Sequence, residues 1–200
     1  MSLRVFNRAL KLCAEYDDLI TLGGGEPTVH PDFEKFLKLA IKCNARQSKV
    51  FLVTNGKHTE RALWLADLAK DGEIFCELSQ DIYHEPIDKR VVEAFKPIRT
   101  CTSVYPSIHK YINIGYRNVT GKLIPVGRAV KYMGLEKTPP DTECVCEEVV
   151  AHPSGLLRQC GCPRSPVVGD VFKGYKIGPL FHECYRHERF KDLKKHEHQD

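Results

Sequence analysis

The stretch LITLGGGEPTVHP, Leu19 to Pro31, runs apolar and β-branched residues into three consecutive glycines and stops at Glu26. A short apolar run ended by glycines reads as a buried strand followed by a tight loop. Outward from it, the alternation continues in both directions. Upstream, Val5, Phe6, Ala9, Leu12, Cys13 and Tyr16 form a helical stripe across residues 3–16. Downstream, Pro31-Asp32 opens a second helix, with Asp32 a candidate N-cap and Phe33, Phe36, Leu37, Ala40 and Ile41 on one face. KVFLVTNG is the next strand, and HTERALWLADLAK a third helix between Thr59 and Gly72. EIFCELSQD and IDKRVVEAF repeat the pair.

Strands alternating with helices imply βα units and a parallel sheet, so the fold class is α/β. After Lys96 the pattern loosens. KYINIGY reads as one more strand, KLIPVGRAVKYMG as a turn into a short helix, and Pro139-Pro140 as a linker. CEEVVAHPSGLLRQCGC is a hairpin signal, two short strands around Pro153-Ser154-Gly155. A boundary near Thr138 divides the chain into a βα core, 1–138, and a cysteine-rich extension, 139–200.

In a parallel α/β sheet, ligands bind beyond the carboxyl ends of the strands. The strand ends here carry Gly23-Gly24-Gly25-Glu26, then Thr54-Asn55-Gly56, then Ser79-Gln80-Asp81, and a parallel sheet gathers them at one mouth. Glycines expose backbone N–H groups and admit a ligand closely. Glu26 offers an acceptor for an ammonium group, while Thr54, Asn55, Ser79 and Asp81 offer hydrogen bonds to an amino acid or a ribose. Spacing alone leaves a second account open, in which the glycines are a tight turn and Glu26 is a first-turn acid facing a helix dipole. The run is no phosphate-binding P-loop, because no Gly-Lys-Ser/Thr follows it. His30 reads either as lining the site or as capping the following helix; His84 and Glu85 read as a surface loop or, from their place past the strand, as substrate contacts.

LGGGEPTVHP, VTNG on the next strand and LSQD on the one after resemble the core of radical S-adenosylmethionine enzymes, over about the first two thirds of the chain. The resemblance implies an incomplete parallel (βα) barrel lacking its first strand. It also implies that Gly24, Gly25 and Glu26 hold the methionine amino group of S-adenosylmethionine, and that Ser79 and Asp81 reach the ribose. In that family a reduced four-iron four-sulfur cluster passes one electron to the sulfonium and releases a 5′-deoxyadenosyl radical, which abstracts hydrogen from a substrate. Here the substrate class, peptide or small molecule, is not legible. The family's cluster motif, CxxxCxxC, occurs nowhere in these 200 residues. Three accounts stand: a fragment or internal start of a complete enzyme, a degenerate relative that binds a ligand or metal without catalysis, or a cluster supplied by a partner chain or by other cysteines. A missing first strand would bare a sheet edge and predicts self-association.

Nine cysteines are many for a reduced intracellular protein and point to metal or redox chemistry. Cys144-Val145-Cys146 and Cys160-Gly161-Cys162 bracket the predicted hairpin. Residues two apart in extended chain face the same side, so closing the hairpin gathers four thiols, with Cys184 a fifth or a replacement. Such a set holds zinc or an iron–sulfur cluster. The likeness of HPSGLLRQC and VVGDV to short cysteine-rich extensions of radical enzymes implies an auxiliary iron–sulfur cluster, with zinc the alternative. Cys13 reads as core, and His182 and His187 as solvated surface. No apolar run approaches the roughly 18–20 residues that span a bilayer, so no membrane partner is expected. The net charge of +4, with bases mixed among acids, gives nucleic acid little to bind. The expected location is the cytoplasm.

Overall fold

Burial with a period of two along three adjacent strands marks the centre of the fold. Ile20 on the first, Val50 and Leu52 on the second, and Ile74, Cys76 and Leu78 on the third are all 2% exposed or less. The computed structural model describes residues 1–16, 19–43, 49–81, 84–98, 115–119, 149–159 and 165–175. Their elements are α1 (Leu3–Tyr16), β1 (Leu19–Leu22), a 3-10 turn (Pro27–Val29), α2 (Phe33–Cys43), β2 (Lys49–Thr54), α3 (Thr59–Lys70), β3 (Ile74–Asp81), α4 (Lys89–Phe95) and β4 (Gly115–Val119). The short strands β5 (Val150–Ala151), β6 (Leu156–Arg158), β7 (Val167–Asp170) and β8 (Gly174–Tyr175) follow.

Two compact units are distinguished, one of residues 13–121 and one joining Met1–Leu12 to the C-terminal residues. In the first, β1, β2, β3 and β4 lie side by side in chain order, and every neighbouring pair is parallel. The register sets Ile20 beside Val50, Val50 beside Ile74, and Leu52 beside Cys76, so the buried residues form rows on one face. Helices cover that face: α2 lies against β2, α3 against β3, and α4 against β3 and β4. Phe36, Leu37, Ala40, Leu65, Ala66, Val91 and Phe95 are their buried contributions. Helices packed on one face of a parallel sheet are what consecutive same-handed crossovers produce.

The described strands form an open sheet with β1 and β4 at its two edges, not a closed barrel. KYINIGY is the expected fourth strand; its residues 110–114 lie outside the described residues, and the strand described, Gly115–Val119, shares Gly115 and Tyr116 with it. Its position is set by pairing with β3, Glu77 to Gly115 through Asp81 to Val119. A ladder offered by a neighbour outweighs the local propensity of GYRNV. At the start of α4 the Asp88 carboxylate accepts from the Arg90 N–H at 2.9 Å and from the Arg90 guanidinium. These bonds, the guanidinium first, hold the Asp88 carboxyl below the usual range.

In the second unit β5, β6, β7 and β8 form an antiparallel meander. The predicted hairpin is present, with Val150 opposite Arg158 and His152 N donating to Leu156 O at 2.8 Å. The strands β7 and β8 were not foreseen. Val5 and Ala9 of α1 share a core with Leu157 and Val171, and Arg8 Nε donates to Val171 O at 3.2 Å. The stripe read in residues 3–16 is therefore real, but part of it packs on the C-terminal sheet. The boundary near Thr138 lies outside the described residues. No helix among those described is long and apolar enough to cross a membrane.

Candidate functional site

The loop after β1 meets the end of β2 at Glu26, and the end of β3 joins them through Asn55. The chain leaves β1 through Gly23, Gly24 and Gly25, all exposed, with Gly24 at φ +153°. An added Cβ at any of the three meets nothing within 4 Å, so the space beside this backbone is open. The loop closes on Glu26, which caps the 3-10 turn: its Oε1 accepts from Thr28 N at 3.1 Å and from Thr28 Oγ1 at 2.6 Å. The same oxygen accepts from Thr54 Oγ1 at the end of β2, at 2.9 Å. Its partner Oε2 accepts from Asn55 N at 2.7 Å. Glu26 thus joins the loop after β1 to the end of β2 while it caps the 3-10 turn.

Thr28 is fully buried and Thr54 is 1% exposed. Thr54 shares the helix-covered face with Val50 and Leu52, and its hydroxyl also accepts from Gly56 N at 3.1 Å. The role foreseen for Thr54, a direct bond to a ligand, gives way to one inside the clamp. Asn55 is half-buried; its N–H is spent on Glu26, its side chain accepts from Lys57 N at 3.0 Å, and its carbonyl accepts from Gln80 Nε2 at 2.9 Å. Gln80 thereby fastens the end of β3 to the end of β2. Ser79 lies on the sheet face away from the helices, half-buried, with Glu77. Asp81 ends β3 opposite Val119, and its side chain is outside what is described.

The far side of the loop is held from α3. The Arg61 guanidinium donates to the carbonyls of Thr28, His30 (3.1 Å) and Pro31 (3.4 Å), and its Nε lies 3.5 Å from Glu34 Oε1. His30 takes the second of its two readings. Its Nδ1 accepts from Asp32 N at 3.1 Å and its ring lies 4.8 Å from that of Phe36, so it supports the start of α2. Glu85 is exposed and paired with Lys57, as befits a surface loop.

Arg61, Thr28 and Gln80 were missed as site residues. Thr28 stands next to the glycine loop but its bonds to the Glu26 carboxylate have no sequence pattern of their own. Arg61 offered no local signal, because its partners lie about thirty residues upstream.

Cys144, Cys146, Cys160, Cys162 and Cys184 lie outside the described residues. Among those described, no group of three or more histidines, cysteines or acids is placed to hold a metal. Cys76 is buried on β3, and burial, with Glu26 and Glu77 nearby, pushes its thiol far above the ordinary cysteine range. Native protein treated with iodoacetamide at pH 8 is expected to leave Cys76 unmodified while half-buried Cys43 reacts. Peptide mass spectrometry showing equal labelling would contradict that environment. Comparison with protein-family models, with curated proteins and with solved structures gives no match to the chain.

Proposed function

We propose that the loop Gly23–Glu26 binds the methionine end of S-adenosylmethionine, and that the chain is the cofactor-binding core of a radical enzyme with a barrel-type βα sheet. The observation that carries this reading is the open ground beside three glycines, ending in a carboxylate fixed by four hydrogen bonds. A ligand ammonium would take the remaining acceptor capacity of Glu26 Oε2, which is engaged by Asn55 N. The unreversed strand order β1-β2-β3-β4, with helices on one face, supports a singly wound, barrel-type sheet rather than a doubly wound one. Ser79, at the end of β3 on the face away from the helices, and Asp81 are the residues for the ribose.

S-adenosylmethionine supplies, when reduced, a carbon-centred radical that removes hydrogen from a substrate, peptide or small molecule. These residues bind the cofactor and orient it. The described residues do not fit an active-site iron–sulfur cluster, and its ligands come in this reading from another segment or a partner chain. The pairing of Val150 with Arg158 supports a distinct auxiliary site, since it sets side by side the strand ends leading to Cys146 and to Cys160. Iron–sulfur is the proposed occupant, with zinc the alternative. Absence of CxxxCxxC from the sequence favours a second reading of the same cradle, a non-catalytic ligand- or metal-binding accessory protein.

Anaerobic reconstitution with iron and sulfide, followed by reduction and assay for 5′-deoxyadenosine, tests the auxiliary site and whether this chain forms its own active-site cluster; binding of labelled S-adenosylmethionine tests the cradle. Iron bound by the chain and lost in a Cys144→Ala/Cys160→Ala variant, with no 5′-deoxyadenosine formed, is the expected result. 5′-Deoxyadenosine above a control without protein would show that this chain assembles a competent cluster itself. Iron retained by the variant would remove the auxiliary site.

A further inference from the structure

We infer that Arg61 is a positioning residue for the cofactor loop, holding the Glu26 carboxylate in binding geometry without touching the ligand; this rests on the reading of Gly23–Glu26 as the S-adenosylmethionine cradle. The loop is fixed from two sides. On the sheet side, Glu26 is tied to Thr54 and Asn55. On the other side the Arg61 guanidinium takes the carbonyls of Thr28, His30 and Pro31, the second of which also accepts from Phe33 N at the start of α2 at 3.0 Å. Its side chain is only 18% exposed, lies 6.0 Å from the Phe33 ring centroid, and meets Glu34 in the first turn of α2. One planar fork thereby joins α3, the 3-10 turn and the start of α2. A lysine ammonium carries its three donors on one atom and lacks the planar fork whose two terminal nitrogens reach these carbonyls.

The consequence runs through Thr28. Its N–H and hydroxyl are two of the four donors on Glu26, and its carbonyl is an Arg61 acceptor. Releasing that carbonyl loosens the residue that orients the carboxylate, while the contacts of Thr54 and Asn55 persist. Affinity for a ligand held by Glu26 then falls although the core under the sheet is unchanged. Trp64, the single tryptophan, sits one turn along α3 with its ring 6.4 Å from that of Phe33, and reports whether α2 and α3 remain packed.

The test compares the full-length wild-type chain with Arg61→Met and Arg61→Lys. Hydrogen exchange over residues 26–36, Trp64 emission, and titration with S-adenosylmethionine by calorimetry are measured well below the unfolding midpoint. Arg61→Met is expected to exchange on the order of tenfold faster in that segment alone and to bind S-adenosylmethionine on the order of tenfold more weakly, at unchanged stoichiometry and emission. Arg61→Lys is expected to fall between the two. Unchanged exchange over 26–36 in Arg61→Met overturns the inference, as does wild-type affinity in that variant. A wild-type chain that binds no S-adenosylmethionine sinks the cofactor reading instead, and the exchange comparison still decides whether Arg61 positions the loop.

Discussion

Gly56→Ala is expected to destabilise the chain by about 2–5 kcal/mol, the largest effect of any single methyl group among the residues described here. Gly56 follows β2 with φ +74°, a conformation that costs an L-residue about 1–2 kcal/mol. A Cβ at this position would lie 2.7 Å from Leu78 Cδ1 and 2.8 Å from Ile87 Cδ1, with Val91 Cγ1 at 3.2 Å. Leu78 and Val91 are fully buried, so neither can move aside without disturbing the packing of α4 on β3. Overpacking of that kind costs about 1–3 kcal/mol. Urea unfolding followed by Trp64 emission should show the midpoint falling by about 1 M or more. A midpoint equal to the wild type would mean the turn relaxes freely, and that TNG is a loose loop.

Glu26→Ala is expected to be nearly as damaging. It strands two donors of Thr28, the hydroxyl of Thr54 and the N–H of Asn55. Thr28 and Thr54 are buried away from water, and each buried group left unsatisfied costs about 1–3 kcal/mol. Water entering the exposed glycine loop recovers part of this, so the net expectation is about 2–4 kcal/mol. Glu26→Gln separates charge from shape. An amide turns its oxygen to the three donors gathered at Oε1 and leaves its NH2 facing the Asn55 N–H, one donor against another. It should therefore lie between the wild type and Glu26→Ala in stability, and should lose ligand affinity with the carboxylate. Equal stability of Glu26→Ala and the wild type would show that the clamp contributes nothing to the fold.

Much of the parallel unit was legible because its signals are local and periodic. LITL, KVFLVT and IFCELSQD are apolar runs ended by turn residues, and each became a strand with its alternate residues under the helices. FEKFLKLAIKC carries its apolar stripe on a single face, and α2 buries Phe33, Phe36, Leu37 and Ala40 as that stripe requires. The convergence of Gly23–Glu26, Asn55 and the end of β3 followed from the rule that parallel strands present their carboxyl ends together.

What stayed hidden depended on contacts distant in the chain. GYRNV has little strand character of its own and is a strand because β3 offers it a ladder. The pairing of Val5 and Ala9 with Leu157 and Val171 links residues about 150 positions apart, which no window of sequence reveals. The same holds for Arg61, a helical arginine like any other until the fold sets three carbonyls in front of it. Thr54 shows the converse: its position at a strand end was readable, but the face it occupies decides that its hydroxyl serves Glu26 rather than a ligand.

The most direct measurement is equilibrium dialysis of labelled S-adenosylmethionine against the wild-type chain and Gly25→Val, with the unfolding midpoint of each recorded alongside. Gly25 is exposed, and a Cβ there meets nothing within 4 Å, so the fold should tolerate valine while its side chain fills the ground a ligand would use. The expected result is binding by the wild type, a loss of at least about tenfold in Gly25→Val, and closely similar midpoints, a factor that corresponds to about 1.4 kcal/mol of binding energy. Equal binding by both chains, or none by the wild type, would contradict the assignment of Gly23–Glu26 as the cofactor cradle.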